Sequence, residues 1–198
     1  MGTLKKSVRV DTLLKLRSES HEKIATIDIG GGETRDLFQT GSKKSGYLWC
    51  FDTNPSGEEE VTYLVKYIPT TLHGGKGVRV PSTLPQVAVW NNAVYNNVDP
   101  TKYFTQEVFF NVLLPRFGAM SSDAQQTTNG LRFWVRQIQH ALKNRSHHVY
   151  LSTPDGILPV RTNIELRAVY EKAWGPEAEK FKVRWIISNK PIHGVPTN

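Results

Sequence analysis

The chain has very little cysteine and no long apolar run. Cys50 is the single cysteine in 198 residues, so no intrachain disulfide can form and a reducing compartment is favoured. No apolar stretch approaches the roughly 20 residues that a membrane-spanning helix needs, and charges interrupt residues 8–17, where a secretory signal would lie. We therefore expect an intracellular protein, cytoplasmic or nuclear or carried in a virion, without a transmembrane segment.

The sequence also lacks the motifs that identify common catalytic and cofactor sites. It contains no P-loop, no dinucleotide-binding glycine fingerprint, no GxSxG elbow, and no HExxH, CxxC or EF-hand spacing. Cys50 lies in the apolar strand 48–51, where a buried inert thiol is expected rather than a nucleophile. We therefore predict a protein that is not an enzyme, with no catalytic residue, cofactor or metal.

What the chain does have is a globular composition and an excess of positive charge. Lys and Arg number 25 against 18 Asp and Glu, a formal net charge of +7, and 38% of the residues are hydrophobic. Polyanions, either nucleic acid or an anionic membrane surface, are natural partners, and a merely soluble basic protein is the alternative. The length predicts a single domain over 1–198, with a frayed N-terminus (1–6) and a frayed C-terminal tail (189–198).

The order of the hydrophobic patterns predicts an α+β fold. Two helical patterns, about 99–114 and 122–144, should pack as the principal helices on a mostly antiparallel sheet. The first should begin at Asp99 and Pro100 and stop at Pro115. Strand patterns are predicted before and after the helices, at 7–11, 22–29, 47–53, 61–69, 78–80, 86–90, 147–153, 157–170 and 181–188.

A glycine-rich segment begins within the end of the second predicted strand. Residues 27–34, Ile-Asp-Ile-Gly-Gly-Gly-Glu-Thr, resemble the phosphate-binding hairpin of the actin and heat-shock-protein class of ATPases, where an Asp and glycines let backbone amides approach phosphate. Glu33 stands where that family has Thr, and 198 residues are fewer than its two-lobed fold requires. We therefore interpret the segment as a glycine-rich turn that closes a hairpin.

Residues 121–150 are the most informative stretch. Read as a helix, the stretch forms one apolar seam with alternating spacings of four and three: Ala124, Thr128, Leu131, Val135, Ile138 and Leu142. Residues 131–150 contain no acidic residue. One face is therefore predicted to pack on the core, and the remainder of the stretch is suited to an anion.

The cations off that seam are the predicted binding residues. Arg132, Arg136 and Lys143 lie on the helix, and Arg145 and His147 follow it. We predict that they bind phosphate through charge-assisted hydrogen bonds, and a solvated basic face is the alternative. Further candidates lie on the last strand and in a basic loop, namely Lys182, Arg184, Lys43 and Lys44.

These features favour a non-enzymatic structural or assembly protein of the viral matrix or coat type, which self-associates and binds a polyanion through its basic face. One alternative is a sequence-tolerant nucleic-acid-binding regulator. Another is a hydrolase or transferase that uses the histidines of the 140–148 region, which would require two of them to converge with an acid in a pocket. A metal is not expected, because the adjacent His147 and His148 point to opposite faces of a strand.

Overall fold

Two antiparallel sheets and a few helices make up the structure, a computed structural model that describes residues 6–30, 32–42, 44–53, 56–68, 88–91, 101–122, 128–170, 174 and 183–195. The predicted α+β class is confirmed, with the strands divided between two sheets. The chain forms two compact units, the first from Met1–Ile68 and Ala88–Val112 and the second from Pro69–Val87 and Leu113–Asn198. Each unit contains one sheet.

In the first unit, five antiparallel strands lie side by side in chain order. They are β1 (His21–Gly30), β2 (Glu33–Gly41), β3 (Gly46–Thr53), β4 (Glu59–Tyr67) and β5 (Ala88–Asn91). The interior strand β4 is buried on both faces, because apolar side chains occur at successive positions along it. Gly30 pairs with Glu33 across the β1–β2 turn, and Gly32 has a φ of 81°. The glycine-rich segment therefore closes a hairpin, as interpreted from the sequence.

A helix begins the described chain where a strand was predicted. Helix α1 spans Lys6–Ser18, so the strand prediction at 7–11 was wrong. Leu13 and Leu16 of α1 pack with Trp49 in one buried cluster, and this tertiary burial outweighs the local β preference of Val8 and Val10. The predicted fraying of residues 1–6 falls outside the described residues, except that Lys6 is helical.

The helix predicted at 99–114 runs further than expected. Helical residues extend through α2 (Thr101–Glu107), a π-helical segment (Val108–Leu113) and α3 (Leu114–Phe117); residues 99 and 100 lie outside the described part of the chain. Pro115 does not stop the helix, because it lies in the first turn of α3, where its missing N–H costs no hydrogen bond. The run ends at Gly118, which has a φ of 77° and whose N–H donates to the Leu114 carbonyl oxygen at 2.8 Å.

The second sheet has the order β6-β9-β7-β8. Its strands are β6 (Ala119–Ser121), β7 (His148–Thr153), β8 (Gly156–Val160) and β9 (Arg184–Ser188). The second unit also contains helix α4 (Thr128–Lys143). The predicted start of that helix at residue 122 was wrong. Ser122 instead prolongs the β6–β9 pairing, because its Oγ accepts from the Trp185 N–H and its N–H donates to the Trp185 carbonyl oxygen, both at 2.9 Å.

The strand predicted at 157–170 was also wrong in its second half. β8 ends at Val160, and helix α5 (Asn163–Ala168) follows. The Oγ1 of Thr162 accepts from the Glu165 N–H at 3.1 Å and caps the helix. Thr162 and Glu165 form the spacing of a capping box, a local signal that overrides the apolar alternation.

The chain after β9, where fraying is predicted, has two buried side chains before residue 196. Ile192 and Val195 belong to a buried cluster with Tyr150 and Ile186. The Ile192 N–H donates to the Tyr150 Oη at 3.1 Å. Ile192 and Val195 therefore attach the segment after β9 to the core of the second unit, and residues 196–198 lie outside the described chain.

Candidate nucleic-acid interface

Helix α4 has a buried face that differs from the predicted seam. Trp134, Ile138 and Ala141 are almost completely buried, whereas Leu131 and Val135 are half-buried. Relative to the predicted seam, the observed buried face is thus rotated around the helix by about one residue, toward Trp134. Ile138 belongs to both the predicted and the observed face. The predicted seam did not include Trp134, although a tryptophan side chain buries a large apolar area when it packs in a core.

The opposite face of α4 carries the predicted cations. Arg132, Arg136 and Lys143 are all exposed, and exposed Gln139 completes spacings of four, three and four. We call these three basic residues the α4 cation row. The row is roughly 16 Å long at 1.5 Å of rise per residue. No acidic residue occurs within α4, so nothing on the helix itself neutralises the row.

A tight turn places two more predicted residues next to the row. The Asn144 N–H donates to the His140 carbonyl oxygen at 3.0 Å, and the His147 N–H donates to the Asn144 carbonyl oxygen at 3.1 Å. The Asn144 Oδ1 also accepts from the N–H and the Oγ of Ser146, at 3.2 and 2.8 Å. Arg145 in this turn is exposed, and His147 at its end is half-buried. Both therefore lie at the C-terminal end of α4, beside the last member of the row.

Three imidazoles come together at the same turn. Burial lowers the pKa of His147, and the neighbouring charges of His140 and His148 lower it further. A carboxylate paired with this imidazole would act in the opposite direction and raise the pKa. The causes of this shift are thus burial and two neighbouring imidazoles.

Two of the remaining predicted residues lie on other elements. Arg184 is a half-buried residue of β9, opposite Ser152 of β7, and α4 packs on these two strands. Lys44 is exposed in the β2–β3 loop of the first unit. That loop is fixed by the Tyr67 hydroxyl, which donates to the Ser42 carbonyl oxygen at 2.6 Å. Two further predictions, Lys43 and Lys182, lie outside the described residues.

Positive charge is concentrated in the second unit. Counted from the sequence over the range of each unit, the second has 14 Lys and Arg against 6 Asp and Glu, a formal net charge of +8. The first has 11 against 12, a net charge of −1. The cation row therefore belongs to the unit whose overall field attracts anions.

Cys50 is fully buried in β3. Its Sγ lies 3.5 Å from the Thr62 Oγ1, and burial raises the pKa of the thiol to about 12. Among the residues that the structure describes, no group of three or more His, Cys, Asp or Glu could hold a metal ion. Across those same residues, no helix is both long enough and apolar enough to cross a membrane.

We expect Cys50 to resist alkylation in the folded protein. At pH 8 only about one thiol in ten thousand would be ionised, given a pKa about four units higher, and the side chain is inaccessible. A thiol-specific reagent monitored by intact mass should label the native chain negligibly and the denatured chain completely. Rapid labelling without denaturant would show that β3 opens or that the thiol is exposed.

The fold and the site together define a basic α+β protein with a cationic helix face. The chain matches no family model, and comparisons with curated proteins and with solved structures found no match either. Its own residues therefore carry the functional proposal.

Proposed function

We propose that this protein is a non-enzymatic structural or assembly protein, of the viral matrix or coat type, that binds nucleic acid through the α4 cation row. The observation that carries the proposal is the exposed alignment of Arg132, Arg136 and Lys143. Two residues four apart are separated by about 6 Å along a helix axis. Guanidinium groups at that separation can contact neighbouring phosphates of one strand through charge-assisted hydrogen bonds.

The burial pattern of α4 favours nucleic acid over an anionic membrane. An interfacial helix inserts its apolar face among the lipids, whereas the apolar residues Trp134 and Ile138 are buried within the protein. None of the large hydrophobic side chains that are exposed in the described chain belongs to α4. Helix α4 thus exposes basic side chains but no large apolar side chain that could insert into a membrane.

Self-association is supported by apolar side chains at the surface of the second unit. Ile164 is 80% exposed and Leu158 is 42% exposed. Exposed apolar groups of this size are suited to contacts between copies of an assembling protein. Association that continues beyond a fixed number of copies would distinguish the structural role from that of a regulator, which would form a small oligomer of fixed size.

Sedimentation velocity of the full chain tests the proposal. At about 50 mM salt we expect assemblies that grow with protein concentration, cosedimentation with single-stranded RNA, and no cosedimentation with anionic phosphatidylserine liposomes. The logarithm of the RNA association constant should fall linearly with the logarithm of the salt concentration, with a slope of about −2 to −3 from three or four phosphate contacts.

Each other outcome has a distinct meaning. A protein that stays monomeric and unbound at low salt would remove the proposal. A small oligomer of fixed size that binds RNA would indicate the regulator instead. Liposome binding without RNA binding would transfer the proposal to an anionic membrane.

A further inference from the structure

The turn between α4 and β7 gathers five basic or potentially basic side chains. His140 lies in the last turn of α4, Lys143 ends the helix, Arg145 lies in the turn, and His147 and His148 lead into β7. We call these five residues the α4–β7 corner. The hydrogen bonds around Asn144 fix the backbone of this corner, so the fold sets the positions from which these side chains project.

The elements packed around the corner add more cations than carboxylates. On one side of β7, His148 pairs with Ser188 of β9, two residues before exposed Lys190. On the other side, the pairing of Val149 with Val160 leads directly to Arg161. The Arg161 N–H in turn donates to the carboxylate of Glu165. On the helix side, His140 and Lys143 are the titratable groups of the last turn of α4.

Acidic side chains are scarce in this part of the described chain. Asp155 and Glu165 are the acidic residues of the second unit that the structure describes. Asp155 lies in the turn after β7, roughly 20 Å from His148 at about 3.3 Å per strand residue. Glu165 is engaged at the start of α5, where its carboxylate accepts from a backbone N–H.

We propose that the α4–β7 corner is a phosphate-binding site that takes up protons on its histidines when it binds, so that nucleic acid is held more tightly at mildly acidic pH. This inference rests on the nucleic-acid binding proposed above and specifies its regulation. Lys143 and Arg145 supply fixed charge at all relevant pH values. Histidine side chains, by contrast, become charged only when the pH falls to mildly acidic values.

Without phosphate, the corner resists protonation. Burial and the neighbouring charges of His140 and His148 disfavour the charged form of His147 and lower its pKa. A phosphate beside the imidazoles offsets that repulsion and raises their affinity for protons. Because linkage is reciprocal, protonation must then raise the affinity for phosphate by the same factor.

The same linkage gives the sign of the effect on folding. The pKa of His147 is lower in the folded than in the unfolded chain, so the unfolded state binds more protons as the pH falls below about 6.5. The free protein therefore loses stability in that range. Bound nucleic acid should restore part of this stability, because it favours the protonated folded state.

Fluorescence anisotropy with labelled single-stranded RNA, at fixed ionic strength, tests the proposal. We expect the wild-type affinity to rise about tenfold between pH 8 and pH 6. The His140→Gln, His147→Gln, His148→Gln triple variant should lose the rise, whatever its affinity at pH 8. His193→Gln is the matched control, because His193 is an exposed histidine of the same unit outside the corner, and it should keep the rise.

Two further measurements keep the test independent of variant folding and of the source of phosphate. Calorimetry of wild-type protein in buffers of different ionisation enthalpy should show net proton uptake on RNA binding at pH 6.5. Inorganic polyphosphate should compete for the RNA more effectively at pH 6 than at pH 8, which would assign the effect to phosphate rather than to the bases.

The outcomes separate this inference from the proposed function. RNA binding without proton uptake, or with a pH dependence that survives in the triple variant, overturns the inference and leaves the proposed function standing. Absence of RNA binding at both pH values overturns both.

Discussion

Replacing Arg132 and Arg136 by Glu is expected to lower the affinity for single-stranded RNA at least about a hundredfold at low salt. Both side chains are exposed on one face of α4, so each replacement removes a cation that can pair with phosphate and adds a repulsive charge. The salt dependence should also become shallower, by about 0.7 in slope for each phosphate of a single strand that is no longer neutralised. Glu is a good helix former, so α4 should persist. Fluorescence anisotropy at several salt concentrations measures both quantities.

A matched control separates the row from net charge. Lys15→Glu with Lys66→Glu makes the same change in charge at exposed positions of α1 and β4, in the first unit. We expect this control to retain affinity within about threefold, the residual effect of long-range attraction. Equal decreases in the two variants would mean that overall charge, and not the row, binds RNA. Lys143 is left unchanged because Glu in the last turn of α4 would oppose the helix dipole.

Replacing Trp134 by Ala is expected to lower the free energy of unfolding by about 3–5 kcal/mol. The indole is 1% exposed on the buried face of α4, so its removal leaves a cavity beside the helix. Chemical denaturation monitored by far-ultraviolet circular dichroism measures the decrease. The expected decrease is a large fraction of the stability of an ordinary domain.

Val135→Ala is the informative companion of this change. The apolar seam predicted from the sequence passes through Val135, whereas the structure leaves that side chain half-buried. We expect this substitution to cost about 1 kcal/mol or less. If Val135→Ala cost as much as Trp134→Ala, the predicted seam would be right and the observed orientation of α4 would be wrong.

Periodicity in the sequence predicted much of the fold because it reflects local burial. The paired strands β3 and β4 and the body of α4 follow directly from their apolar patterns. The same patterns failed where tertiary contacts decide the outcome. Helix α1 forms because Leu13 and Leu16 find a buried cluster on the first sheet. Ile192 is buried in the predicted tail because it packs in the core of the second unit and its N–H donates to the Tyr150 hydroxyl.

Helical periodicity in the sequence also predicted part of the candidate site. Helical spacing alone places Arg132, Arg136 and Lys143 on one exposed face. Spacing carries no information about which separate segments meet, so the proposed extension through Arg184 could not be judged from the sequence. The contrast in charge between the two units also depends on boundaries that interleave along the chain, which only the structure supplies. Thr162 and Glu165, by contrast, carried a capping signal in the sequence itself.

Because the β2–β3 loop is fixed by a hydrogen bond from Tyr67, we expect its positions to differ in how well they tolerate substitution. A side chain at Gly46 would collide with the carbonyl oxygen of Thr40 and would place its Cβ 2.7 Å from the Tyr67 hydroxyl, the group that fixes the loop. Lys44, exposed in the same loop, has no such restriction on its side chain. Among natural variants of this protein, Gly46 should therefore be nearly invariant, whereas position 44 should vary among polar, acidic and basic residues.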